Sequence, residues 1–149
     1  MPGSPSFEHF LHAQDDGVYE RALDEIRAGE KTSHWMWFIF PQIAGLGRSA
    51  MARRYALHDR PEAEAYARHD VLGERLYEAT EAMLDWAGTL SAEQILGGVD
   101  AMKFRSSMTL FEQCADDPET FAQALDGYFE GERDSLTVER LLELETTRG

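Results

Sequence analysis

A chain of 149 residues with no long Pro/Gly/Ser-rich stretch is most simply one domain, large enough to bury roughly two-thirds of the surface its unfolded form exposes. With 14 Lys and Arg against 28 Asp and Glu, a net charge of −14 opposes a nucleic-acid polymer or an anionic membrane as partner. The single cysteine, Cys114, excludes an internal disulfide and fits a reducing, cytoplasmic setting.

The opening MPGSPSFEHFLHAQ has no basic stretch leading into a long apolar one, so no signal peptide is expected. His9 and His12 share a helix face there, but no third metal ligand accompanies them. In DDGVYERALDEIRAGEK, Tyr19, Ala22, Leu23 and Ile26 recur at i, i+3, i+4 and i+7, which predicts an amphipathic helix capped by Asp15 or Asp16 and closed by Gly29.

SHWMWFIFPQIAGLGRS follows. Trp35 to Phe40 is too short for the ~20 residues that span a bilayer. If residues 34 to 40 are helical, their apolar side chains point all around the axis, so this helix is expected at the centre of the core, stopped by Pro41. His34 and Gln42 stand at its two ends. Gly45 and Gly47 permit a close backbone approach, and Arg48 with the free N–H groups of a helix capped by Ser49 suits an anion. This is neither a Walker A loop nor a dinucleotide fingerprint, and an ordinary glycine turn before a capped helix is the commoner explanation. Arg48, Arg53, Arg54 and Arg60 face only Asp59 in the same stretch, a local positive patch that would focus a small anion.

Asp59 with Glu62 resembles a capping box, and Ser91 also sits where a cap belongs. Helical spacing returns as Leu72, Leu76, Ala79, Met83 and Trp86, as Phe121, Leu125 and Tyr128, and as Val138, Leu141 and Leu142. His58 and His69 read as surface residues. Between these helices, GVDAMKFRSSMTLFEQC places Phe104, Met108 and Phe111 on one side of Asp100 and Leu110 on the other, each limit within about 80° of it. Asp100, Lys103 and Ser107 then form a polar stripe inside an apolar face. Buried charges need partners, so Asp100 and Lys103 are expected to pair. Lys103 is one of only two lysines against twelve arginines. Cys114 lies near the apolar arc and reads as a small core residue.

No segment alternates over strand length, and no period repeats. The expectation is an all-α single domain, residues 1–149, of about eight short helices around a central apolar helix, with GERDS at 131–135 as linker and the last helix loosely docked. His34, Gln42, Gly45, Gly47, Arg48, Ser49, Asp100, Lys103, Ser106 and Ser107 are expected to line one polar pocket for a small anionic metabolite or nucleotide. Two alternatives stand beside it. In one, the stripe is structural and the domain is an interaction module or homo-oligomer. In the other, Lys103 serves as base to Ser107 in a hydrolase, although no oxyanion loop is visible. No cofactor or metal set is expected, and catalysis is left open.

YERALDEIRAGEKTSHWMWFIFPQ, GLGRS, EAEAYARHDVLGERL, DAMKFRSSMTLF and GERDSLT together resemble the bacterial family catalogued as domain of unknown function 1810, sometimes labelled calpastatin-like. The resemblance covers nearly the whole chain and implies a single all-helical domain, but no established activity and so no catalytic residue. One departure is HDVLG, where relatives usually have proline before the valine. Calpastatin is a disordered inhibitor, whereas eight Phe, three Trp and a wholly apolar run are the composition of a chain that folds alone.

Overall fold

Ten helices connected by short loops make up a computed structural model that describes residues 6–148. The first five residues and Gly149, part of the expected domain, lie outside the described residues. In chain order the helices are α1 (Glu8–Ala13), α2 (Val18–Arg27), α3 (Met36–Ile39), α4 (Ala50–Arg54), α5 (Arg60–Arg68), α6 (Leu72–Leu84), α7 (Ala92–Leu96), α8 (Gly98–Cys114), α9 (Glu119–Phe129) and α10 (Ser135–Arg148). Among the described residues the only β feature is an isolated parallel bridge between Ile43 and Leu57. None of these helices is long and apolar enough to cross a membrane.

The 3.6-residue stripes bury as their spacing predicts. Tyr19, Ala22, Leu23 and Ile26 of α2 are in the core, as are Leu72, Leu76, Ala79 and Met83 of α6 and Phe121 and Leu125 of α9. Trp86 lies beyond the end of α6 and donates its indole N–H to Ile26 O at 2.9 Å. On α10, Leu141 is buried but Leu142 is 58 % exposed, so the expected stripe there is one residue too wide.

The caps follow the sequence in three places out of four. Ser49 accepts from Ala52 N, Asp59 from Glu62 N, and Ser91 forms a full capping box with Gln94. At α2 the expected aspartate cap is absent. The turn passes through Asp16 and Gly17 at φ 57° and 82°, so Gly17 takes the cap position and neither aspartate side chain caps the helix.

The central helix expected over residues 34 to 40 is a single turn, Met36–Ile39. Glu25 accounts for the difference. It accepts the backbone N–H groups of Thr32 and Ser33 at 2.7 and 2.9 Å, the Trp35 indole N–H at 2.8 Å, and the Ser33 hydroxyl. These bonds fix residues 32–35 as a loop. Pro41 stops the turn on the other side. The run is still enclosed, with Trp35, Met36, Phe38, Ile39 and Phe40 buried. The long central element is instead α8, which packs against α5, α7, α9 and α10, and whose Phe104 meets Phe40 edge to face at 4.9 Å.

The 131–135 connection is held at several points. Arg105 donates to Glu132 O and Arg133 O, Arg133 pairs with Glu112, and Asp134 N donates to Thr109 Oγ1 at 2.9 Å.

Candidate functional site

Lys31 arrives from the loop after α2 and Lys103 from α8, and the two lysines of the chain meet at one carboxylate. Asp100 lies 2.7 Å from Lys31 Nζ and 3.5 Å from Lys103 Nζ. Each ammonium also stands over an indole, Lys31 at 5.3 Å from the centre of Trp35 and Lys103 at 4.9 Å from that of Trp37. The side chains of Lys31, Asp100 and Lys103 are 9 %, 19 % and 24 % exposed, so the group is largely withdrawn from water. Two cations on one anion leave a surplus positive charge. A compact ammonium on a flexible stem fits where a planar guanidinium needs more room.

The loop that carries Lys31 is anchored at both ends. Lys31 N donates to Ile95 O at 2.7 Å, and Glu25 gathers the next residues. Burial works against the Glu25 charge, but the bonds from Ser33, Trp35 and Thr32 outweigh it and hold the carboxyl down at about 2.

One turn beyond Lys103, the Ser107 hydroxyl is fully buried and without a hydrogen-bond partner among the described residues. Hydroxyls elsewhere in the helices close back on the preceding turn: Thr80 on Leu76 O, Ser106 on Met102 O, Thr109 on Arg105 O and Thr146 on Leu142 O. Ser107 does not. Lys103 is therefore not hydrogen-bonded to it, and the nucleophile–base pair weighed from sequence is not formed. Ser106 turns to the other side of α8, where Asp134 accepts from it at 3.0 Å.

The remaining expected residues gather elsewhere. Gln42, Gly45 and Gly47 line a cavity of about 220 Å³ together with Arg53 and His58. Asp100, Lys103, Ser106 and Ser107 are not among its walls. The strand-like pairing of Leu57 N to Gln42 O and Ala44 N to Leu57 O folds this loop back on itself. Arg48 and Ser49 are exposed beside it. His34 is exposed and makes no hydrogen bond or ion pair with the described residues. Arg60 leaves the expected basic patch for Glu145 and Gln113 O.

Lys31, Arg53 and His58 are thus the residues missing from the sequence-derived set. The rarity of lysine was the available signal for the first, and the uncompensated arginines for the second. His69, read as a surface residue, is half-buried, and its Nδ1 accepts from Val71 N and Leu72 N at 3.1 Å, capping α6. His9 stacks on Tyr55 at 5.7 Å. Among the described residues no three His, Cys, Asp or Glu side chains are grouped to hold a metal ion. Cys114 is a core residue whose thiol burial pushes up to about 11. A further open cleft of about 860 Å³, between α2 and the start of α6, is lined by Tyr19, Arg75, Tyr77 and Glu78 among others.

The crystal structure of the conserved hypothetical protein Rv1873 from Mycobacterium tuberculosis is similar to this chain at 43 % identity and a TM-score of 0.86, covering 91 % of this chain and 95 % of that one. No curated protein matches. A family model described as protein of unknown function, DUF1810, matches residues 4–141, and the chain belongs to that family.

Proposed function

We propose that the domain binds a small anionic metabolite at the Lys31–Asp100–Lys103 group. The observation that carries this reading is the surplus ammonium: two lysines 72 positions apart in the chain share one carboxylate in a largely buried place. An ammonium has three donors, so the pair retains donors for a carboxylate or phosphate after serving Asp100. Trp37, half-buried beside Lys103, offers a flat apolar surface to the rest of the ligand. The unpartnered Ser107 hydroxyl lies on the same stripe of α8 as Asp100 and Lys103 and supports the reading as a waiting donor.

The test is a thermal-shift and calorimetric screen of nucleotides, phosphorylated metabolites and di- and tricarboxylates. A hit should weaken about tenfold or more in Lys103→Gln, the loss of one hydrogen bond to a charged group. An unchanged response in a folded Lys103→Gln protein would overturn the reading.

A second reading, an interaction module, is favoured by Leu136 and Leu142, 61 % and 58 % exposed on α10. It predicts a protein partner retained by Lys103→Gln and lost when both leucines become Asn.

A further inference from the structure

The cavity enclosed by the loop from Gln42 to His58 is chemically distinct from the lysine group. Most of its wall is small or backbone: Ala44, Gly45, Gly47, Ala52 and Ala56. Three residues with polar side chains complete the lining, Gln42, Arg53 and His58. Neither Gln42 nor Arg53 has a side-chain partner among the described residues. In this chain acids outnumber bases two to one. Arg60, Arg68, Arg133 and Arg140 each lie on a carboxylate. Arg48 and Arg54, which flank the cavity in sequence, meet no carboxylate among the described residues either. The local field is positive on a molecule that is otherwise strongly negative.

We infer that this cavity is a second, separate binding site, for a phosphate group. Arg53 supplies a planar fork that matches two phosphate oxygens, and the Gln42 amide supplies a neutral donor. Glu62 holds the His58 ring through Nδ1 at 3.1 Å, leaving Nε2 as its free nitrogen. At about 220 Å³ the space is below the roughly 300–1,000 Å³ of pockets that enclose whole cofactors or drugs. It therefore takes inorganic phosphate, or the phosphate end of a monoester whose remainder stays outside. The short helix at Ser49 is not needed for the argument, because the side chains alone define the site.

Calorimetry at low ionic strength with inorganic phosphate and with phenyl phosphate tests the inference in the full chain. One-to-one binding is expected in Lys103→Gln, which removes the lysine group's own contribution, and it weakens at least tenfold when Arg53→Gln is added. Arg53 is exposed, so its replacement leaves the fold intact. Tighter binding of phenyl phosphate than of phosphate identifies an ester as the ligand, and the reverse identifies the free ion. The inference is overturned if neither probe binds wild type at about 10 mM, or if adding Arg53→Gln leaves the binding of Lys103→Gln unchanged. It is equally overturned if Lys103→Gln alone abolishes binding, which would assign the phosphate to the lysine group instead.

Discussion

Glu25 organises the loop that delivers Lys31, and it does so with one carboxylate taking four donors. Its carboxyl stands at about 2 in the folded protein against an ordinary 4.5. A depressed carboxyl stabilises the fold fully above its unfolded value and loses that contribution as pH falls through the folded one. Water near this side chain screens the effect, so Glu25→Gln is expected to cost about 1–2 kcal/mol near neutrality. Urea titrations at several pH values should show the difference from wild type shrinking between pH 4.5 and 2. Ser107 gives the opposite kind of prediction. Its buried hydroxyl is unpaired, so Ser107→Ala should leave stability equal or up to about 1 kcal/mol higher, while weakening any ligand that depends on the lysine group. A clear loss of stability would mean that the hydroxyl has a structural partner. At this scale the sequence carried the Asp100–Lys103 pair, found at 3.5 Å, but not the tighter contact to Lys31 at 2.7 Å. Periodicity relates residues on one helix, and Lys31 comes from a loop.

Elements were legible where a stripe of apolar residues had a helix to itself. α2 buries all the residues its spacing nominates, and α6 and α9 bury all but the last of theirs, Trp86 and Tyr128, which are half-buried. The stretch before Pro41 misleads for a non-local reason: Glu25, from the preceding helix, holds Thr32 N, Ser33 N and the Trp35 indole and so fixes the approach to the run as a loop. The junction of α5 and α6 shows a similar dependence on space. A β-carbon on Gly73 would stand 2.2 Å from Ala67 O, a backbone atom that cannot swing aside. Gly73→Ala should therefore force the two helices apart and cost about 1–3 kcal/mol or more. Denaturant midpoints measure this, and a loss below half a kilocalorie would show that the junction yields.

The whole molecule is an all-helical domain in which α8 runs through the middle and α10 returns across it. The helical class could be read from the absence of strand-like alternation, but the choice of central helix could not, since α8 carries its polar stripe inside the core. Asp134 is the hinge of the return. It accepts from Ser106 Oγ, Thr137 N and Thr137 Oγ1 while its own N–H donates to Thr109. Asp134→Ala removes three of these bonds, and hydrogen exchange should show the α10 amides losing about 1–2 kcal/mol of protection, with α6 and α8 unaffected. Equal losses everywhere would mean that α10 and the core open as one unit.

Gly45 belongs both to the wall of the phosphate cavity and to the seat of the last helix. Its backbone, at φ 100°, leaves no room for a methyl, because that atom would come within 2.7 Å of Arg140 Nε. Arg140 in turn donates to Ala44 O at 3.0 Å. The loop and the C-terminal segment are therefore joined by direct contact, and a ligand that shifts Gly45 is expected to shift Arg140 with it. A fluorophore placed on that segment is expected to report loading, and a bulky fusion attached there to perturb it.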